Sequence, residues 1–190
     1  MKAIIFLDID GVLLPFNYHA KPEAKALLEE CRSRANESLH NHTNPKLMYN
    51  LRMPFKTEAI ELINNLCETY DAKIVINSDW HMSFSRSQMV NKLTQEGIKA
   101  GLFHIEPVAY SSIYKFSNKL LCMSAWFERS GLPEKTTPRI IIDDSLSQRV
   151  PFVVSPDSDE GFSHANYNDA VNLLELQINW LKKNKENRLT

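Results

Sequence analysis

The sequence predicts an α/β protein with a parallel sheet that is covered by helices on both faces. Short, continuous apolar runs alternate along the chain with segments of helical periodicity, which is typical of a parallel sheet with crossover helices. Acidic residues directly follow two of the apolar runs, as expected where a ligand binds at the carboxyl edge of such a sheet. The chain has 190 residues and fits one domain, taken as residues 1–190.

Five apolar runs predict the strands. They cover residues 3–7, 73–76, 102–108, 139–142 and 150–154. The first run is apolar throughout and rich in isoleucine, as expected of a strand that is buried on both faces. The run 102–108 has the weakest pattern. Pro151 predicts that the last strand lies at a sheet edge, because proline cannot donate a ladder hydrogen bond.

Helical spacing of apolar residues predicts five helices. They cover residues 22–38, 57–70, 88–96, 118–130 and about 168–183. Gly97 and Gly131 follow two of them, as expected of C-terminal caps. Residues 15–54 interrupt the strand–helix rhythm directly after the first strand, contain no strand-like run and are turn-like at 41–45. We predict that 15–54 is a small cap insertion over the carboxyl edge of the sheet.

The composition limits the classes of function. Lys and Arg number 22 against 23 Asp and Glu, which is no signature of a duplex nucleic-acid binder. The apolar run before Asp8 is shorter than the core of a signal peptide, and no run is long enough for a membrane span. Cys31, Cys67 and Cys122 are widely spaced and predict free thiols in a reducing compartment. We therefore expect a soluble, cytoplasmic protein, and the oligomeric state is left open.

Polar side chains follow three predicted strands and open one helix. These side chains are Asp8 and Asp10, Ser78 and Asp79, Asp143 and Asp144, and Lys119 at the helix start. Because parallel strands end at one edge of a sheet, we expect these side chains to face one crevice.

The pair Asp8 and Asp10 predicts phosphoryl transfer. A carboxylate can attack phosphorus and form an aspartyl-phosphate, and a second carboxylate two residues on points the same way in a strand. Asp10 can protonate the leaving group and later deprotonate the attacking water. Ser78 can donate a hydrogen bond to a phosphoryl oxygen, and Lys119 can neutralise its charge. Clustered carboxylates need a cation such as Mg²⁺, for which Asp143 is the expected distal ligand.

The four motifs resemble those of the haloacid-dehalogenase (HAD) superfamily. That superfamily has an Asp-x-Asp after a hydrophobic strand, a Ser or Thr that ends the next strand, a Lys or Arg, and an acidic pair. Here they are Asp8-Ile9-Asp10-Gly11-Val12, Ser78, Lys119 and Asp143-Asp144, over residues 2 to about 154. The resemblance implies a Rossmann-like fold and a Mg²⁺-dependent phosphomonoester hydrolase. It implies that Asp8, the backbone carbonyl of Asp10 and Asp143 hold the Mg²⁺.

Within the superfamily, the sequence resembles the phosphatase domain of the Swiss Army Knife RNA repair proteins. Ser78-Asp79-Trp80 is similar to their Thr-Ser-Trp, and Gly161-Phe162-Ser163 to their Gly-Leu-Thr. This implies phosphate removal from RNA or nucleotide ends, or from a small phosphoester. Asp143-Asp144-Ser145 also resembles the acidic motif of the RNA-polymerase C-terminal-domain phosphatases, which act on phosphoserine peptides. A transferase such as a phosphomutase and a non-catalytic interaction module are further alternatives. The intact Asp8 and Asp10 argue against the module.

Some residues have a second interpretation. Asp144 either binds a metal-bound water or caps the next turn, and Ser78 is either a phosphate ligand or an ordinary strand-end hydroxyl. Lys115 competes with Lys119 for the phosphate. We favour Lys119 because apolar residues follow it at helical spacing. Trp80 is favoured as a packing residue rather than a substrate contact.

Other polar residues predict less. His19, His40 and His42 have no cysteine or acidic partner at zinc spacing, so we expect no metal there. Residues 83–86 with Ser87 suit a polar helix cap better than an anion site. An RNA end as substrate would need a basic, aromatic-lined track to Asp8. The candidates to line it are Arg32, Arg34, Lys46, Arg52 and Arg86.

Overall fold

A five-stranded parallel sheet forms the centre of the protein. The computed structural model describes residues 2–37, 44–110 and 118–186. The strands are β1 Ile4–Leu7, β2 Lys73–Ile76, β3 Phe103–Val108, β4 Arg139–Ile142 and β5 Val153–Val154. They pair in the order β3-β2-β1-β4-β5, and every pair is parallel. The predicted Rossmann-like α/β class is confirmed. β5 is shorter than the run 150–154 and lies at the edge, as Pro151 indicates.

Six α-helices connect or follow the strands in the described part of the chain. They are α1 Pro22–Glu37, α2 Pro45–Arg52, α3 Thr57–Thr69, α4 Arg86–Gln95, α5 Lys119–Ser130 and α6 His164–Glu186. The sequence prediction missed α2. Its start is nevertheless encoded, because the Asn44 side chain accepts a hydrogen bond from Lys46 N at 2.9 Å and Pro45 suits the first helical position.

The two sheet faces carry different helices. Ile5 and Leu7 belong to the core cluster that includes residues of α3, α4 and α6. On the other face, Phe6 packs against Trp126 and Phe127 of α5, with ring centroids 5.4 and 5.6 Å apart. Right-handed crossovers explain the division. The chain adds β2 and β3 in one direction, and then reverses to add β4, which places α5 on the opposite face.

The reversal creates a crevice at the carboxyl ends of β1 and its neighbours. Leu7 is level with Ile76 of β2 and with Ile142 of β4. Asp8 N then donates to Ile142 O at 3.0 Å, and Asn77 N to Leu7 O at 2.8 Å. The first residue after each of the three central strands therefore lies in one row.

The 15–54 segment connects β1 to α3 along the chain. Within this segment, α1 and α2 pack against each other. Backbone hydrogen bonds fix both ends, since Phe16 N donates to Ser158 O at 2.9 Å and Lys56 N to Leu13 O at 2.8 Å. The cap role of the segment stays a prediction. None of the described helices is both long enough and apolar enough to cross a bilayer.

Candidate active site

A tight turn after β1 shapes the floor of the crevice. The N–H groups of Leu13 and Leu14 both donate to Ile9 O, at 2.9 and 3.0 Å. Gly11 has a φ of +68°, and a Cβ atom there would lie 2.2 Å from Asp144 Oδ2. Glycine is required because of its backbone conformation and because Asp144 from the β4 end packs directly against it.

Two buried carboxylates and one lysine form the centre of the site. Asp8 is 4% exposed and Asp143 is 1% exposed. Lys119 Nζ donates to Asp8 Oδ2, to Asp143 Oδ2 at 2.7 Å and to Ser145 Oγ at 3.2 Å. Asn118 caps α5 by accepting a hydrogen bond from Leu121 N at 3.2 Å, so the helix begins where Lys119 reaches the strand ends. The favoured lysine thus contacts both carboxylates, whereas Lys115 lies outside the described residues.

Burial dominates the electrostatics of this centre. It raises the pKa of Asp8 to about 7, with Lys119 opposing the shift and Asp143 adding to it. Burial alone would lower the pKa of Lys119, but the charge of Asp8 and the hydrogen bonds to both carboxylates outweigh it and raise this pKa. Burial and the charge of Asp143 raise the pKa of Asp144. Burial therefore disfavours the ionised carboxylates, and a bound cation would offset this cost.

The loop after β4 fixes the orientation of Asp143. Its Oδ1 accepts hydrogen bonds from Ser145 N at 2.9 Å, Ser145 Oγ at 2.7 Å and Leu146 N at 3.0 Å. Oδ2 remains on the side of Lys119. The sequence prediction gave Ser145 no separate role, although an Asp followed by Ser at i+2 is a common local turn pattern.

The donor set fits Mg²⁺. Asp8, Asp143 and Asp144 each offer a carboxylate oxygen, and these atoms lie within 4.8 Å of one another. Oxygen ligands with one or two carboxylates are what Mg²⁺ prefers. The side chain of Asp10 is not in this group and accepts a hydrogen bond from Trp80 Nε1 at 2.9 Å. The metal contact expected of Asp10 is through its backbone carbonyl and stays a prediction.

Asp10 connects this centre to a pocket of about 600 Å³. Burial raises the pKa of Asp10, against the hydrogen bond from Trp80. The rest of the lining comes from the 15–54 segment. It consists of Phe16, His19, Leu28, Arg32, Asn44, Pro45, Lys46, Tyr49 and Asn50.

Two of the five basic candidates line this pocket, namely Arg32 and Lys46. The other three are not among its lining residues. Arg34 and Arg52 form ion pairs with Glu30, and Arg86 forms one with Glu106.

The end of β2 contributes one residue that sequence reasoning missed. Asn77 is 2% exposed, and its side-chain nitrogen has no hydrogen-bond partner among the described residues. Because side chains alternate along a strand, Asn77 should point to the same face of the sheet as Val75. Asp8 should point to the same face as Phe6, which is also the face of Val75. The sequence did carry a signal for Asn77, namely its position directly after β2, level with Asp8 after β1.

The predicted residues Ser78 and Asp79 follow Asn77. Ser78 is 2% exposed, and its Oγ accepts a hydrogen bond from Trp80 N at 3.4 Å. Asp79 is exposed. Their contact with phosphate stays a prediction.

The remaining polar candidates that the structure describes lie outside the group of Asp8, Asp143 and Lys119. His40 and His42 lie outside the described residues, and His19 Nδ1 lies 2.8 Å from the Tyr49 hydroxyl. Ser85 caps α4, and its Oγ accepts a hydrogen bond from Gln88 N at 3.3 Å. Residues 83–86 therefore contain a helix cap, as favoured from the sequence.

The fold and the site define an HAD-type domain, with its acidic strand ends at the switch point of a parallel sheet. Residues 4–167 match the model of the family described as the HAD domain in Swiss Army Knife RNA repair proteins, and the chain belongs to this family. The predicted resemblance is confirmed. The family is one of phosphatase-type hydrolases, and its members generally use Mg²⁺. No curated protein and no solved structure matches the chain.

Proposed function

We propose that this protein is a Mg²⁺-dependent phosphomonoester hydrolase that acts through an aspartyl-phosphate on Asp8. One observation carries the proposal. The buried group of Asp8, Asp143 and Lys119 adjoins Asp10, and Asp10 opens onto a pocket large enough for a substrate. Pockets of roughly 300–1,000 Å³ are typical of small-molecule sites.

The roles of the residues follow from their contacts. Asp8 attacks phosphorus with one carboxylate oxygen, while Lys119 neutralises charge on the phosphoryl group. Asp10 protonates the leaving oxygen and later accepts a proton from the attacking water. Ser78 and Asp79 remain the proposed phosphate contacts, and the unpartnered Asn77 amide is suited to donate to a phosphoryl oxygen.

Asp8, Asp143, Asp144 and the backbone carbonyl of Asp10 are the proposed ligands of Mg²⁺. When bound, Mg²⁺ would neutralise carboxylate and phosphate charge, so that the two can approach each other. The shared negative charge of the three carboxylates supports this role.

The substrate we propose is an RNA or nucleotide phosphate end, or a small phosphoester. The pocket combines cations with aromatic side chains, which suits a phosphorylated base-containing group. Lys46 and Arg32 provide the positive charge, that of Arg32 being shared with Glu29, and Phe16 and Tyr49 provide the rings. Duplex nucleic acid and membranes are not proposed partners, and a cytoplasmic location stays a prediction.

Hydrolysis of p-nitrophenyl phosphate tests the proposal. We expect turnover with Mg²⁺, and loss of turnover with EDTA or with Asp8→Asn. The matched control is Asp169→Asn, which makes the same change at an exposed position on α6. A panel of RNA 5′- and 3′-phosphate ends, nucleoside monophosphates and phosphoserine peptides then ranks the substrates. Folded protein that neither hydrolyses any of these esters nor binds beryllofluoride with Mg²⁺ would contradict the proposal and favour the interaction module.

A further inference from the structure

Trp80 lies buried between Asp10 and Phe55, the residue that directly follows the 15–54 segment. It is 3% exposed. Its ring packs against Phe84, with centroids 5.0 Å apart, and against Phe55 at 6.0 Å. Its Nε1–H donates to Asp10 Oδ2 at 2.9 Å. The single polar atom of a packed ring is therefore bound to the carboxylate that opens onto the pocket.

This hydrogen bond constrains the Asp10 side chain at one of its two carboxylate oxygens. Among the described residues, Trp80 is its one hydrogen-bond partner, and Asp10 Oδ1 has none. Buried indole N–H groups need a partner, and a backbone carbonyl suffices, as for Trp126 Nε1, which donates to Glu106 O at 2.7 Å. At Trp80 the partner is instead a group with a role in the proposed reaction.

We propose that Trp80 is a positioning residue, which holds Asp10 Oδ2 so that Oδ1 meets the leaving group of the substrate. The inference rests on the proposed function. As the bond between Asp8 and phosphorus forms, the bond from phosphorus to the leaving oxygen breaks, and that oxygen takes the proton of the Asp10 carboxyl group. The Asp10 carboxylate next takes a proton from water, whose oxygen bonds to phosphorus while the bond from phosphorus to Asp8 breaks.

The physical reason is the cost of orientation. A carboxyl group that is free to rotate about its side-chain bonds spends part of its time away from the leaving oxygen, and small misplacements reduce the rate strongly. The ring of Trp80 cannot follow such rotation, because Phe55 and Phe84 pack against it. The indole N–H of Trp80 is therefore a rigid donor that fixes the orientation of the Asp10 carboxyl group.

The leaving group provides a readout that packing would not affect. 4-Nitrophenolate is a weak base that leaves without much help from an acid, whereas an alkoxide needs protonation. We compare kcat/KM for p-nitrophenyl phosphate and for an alkyl phosphate, since kcat/KM includes only the steps up to leaving-group departure. Trp80→Phe should lower kcat/KM for the alkyl ester at least about tenfold more than for the nitrophenyl ester, within the 10²–10⁴-fold range of acid catalysis.

Three controls complete the experiment. Asp10→Asn should show the same preference for the nitrophenyl ester, and adding Trp80→Phe to Asp10→Asn should not increase it further. Trp126→Phe removes a comparable buried indole and should change both esters by the same factor. If Trp80→Phe does not fold, 3-benzothienylalanine at position 80 keeps the fused ring and removes the N–H.

The outcomes separate the two claims. An equal loss for both esters with Trp80→Phe or with benzothienylalanine, in protein whose wild type is active, overturns the positioning role and leaves the proposed function intact. Wild-type protein that hydrolyses neither these two esters nor any member of the panel of RNA ends, nucleotides and phosphopeptides, and that does not bind beryllofluoride with Mg²⁺, would instead remove the proposed function, and the positioning role with it.

Discussion

The carboxyl edge of the sheet and the 15–54 segment meet at Asp10, yet their ion pairs differ in burial. At the edge, Lys119 pairs with Asp8 and Asp143, whose side chains are 5% and 1% exposed. In the segment, Arg32 pairs with Glu29, and these side chains are 56% and 69% exposed. Removing one partner of a buried pair leaves an uncompensated charge, whereas an exposed pair contributes little. Substitutions at the edge should therefore have large effects on activity or stability, in either direction for stability, while the segment can change its substrate contacts at little cost in stability.

The largest expected effect comes from Asp8→Asn, which separates activity from stability. Loss of the nucleophile should reduce kcat by at least about 10³-fold. The pKa of Asp8 is about 7 in the folded protein, against the ordinary 3.8. A raised carboxyl pKa gives stability that is fully present below about 3.8 and is lost as the pH rises through about 7.

In EDTA at pH 8, Asp8→Asn should therefore raise the free energy of unfolding, and the gain should shrink as the pH falls toward 4. Urea titration at several pH values measures it. A variant that is less stable than the wild type at pH 8 would show that the pair with Lys119 outweighs burial.

The edge was the part of the molecule that the sequence predicted best. Asp8, Asp143 and Lys119 each directly follow a strand or begin a helix, so the parallel sheet alone brings them together. The pocket was predicted only in outline, as a cap at 15–54 over the edge and a set of basic candidates. Arg32 lines it, while Arg34, two residues along the same helix, does not, although each arginine pairs with a glutamate of that helix. Helix packing in the 15–54 segment decides between such neighbours, and no local pattern encodes that packing. The hydrogen bond from Trp80 to Asp10 spans 70 positions and was hidden for the same reason.

The next effect in size is that of Lys119→Met, which keeps the stem of the side chain and removes the charge. Loss of a positioned charge at the phosphoryl group should reduce kcat by about 10²–10³-fold. In EDTA it should also lower the free energy of unfolding by about 3 kcal/mol, because two carboxylates remain buried without a cation.

Saturating Mg²⁺ should restore part of the stability of Lys119→Met, but not its activity. The matched control is Lys182→Met, at an exposed position on α6. Thermal unfolding with and without Mg²⁺ measures both. A variant that is as stable as the wild type in EDTA would mean that the carboxylates are neutral without lysine.

Gly11→Ala tests whether the floor of the edge is as intolerant as its charges. The new methyl group would lie 2.2 Å from Asp144 Oδ2, and the positive φ adds about 1–2 kcal/mol of strain. Displacement of Asp144 by about 1 Å should reduce kcat up to 10²-fold and weaken Mg²⁺ binding. Gly101→Ala is the control, since its Cβ would have no atom within 4 Å. Calorimetric titration with Mg²⁺ measures the affinity, and an unchanged value would exclude Asp144 from the metal site.

The smallest effect should lie in the 15–54 segment, where Lys46→Ala removes one charge from the pocket wall. Lys46 is exposed and forms no ion pair within the described residues, so unfolding should change little. An exposed charge contributes about 0.2–1 kcal/mol to an interaction. The KM for a phosphorylated RNA oligonucleotide should therefore rise about twofold to fivefold, with kcat unchanged. The KM for p-nitrophenyl phosphate, which is too small to reach across the pocket, should stay the same.

Added salt should reduce the difference in KM between Lys46→Ala and the wild type, because it screens exposed charges. Lys182→Ala, remote from the pocket lining, should change neither KM. An equal rise in KM for both substrates would place Lys46 at the phosphoryl group rather than along the substrate, and would mean that segment and edge act as one site.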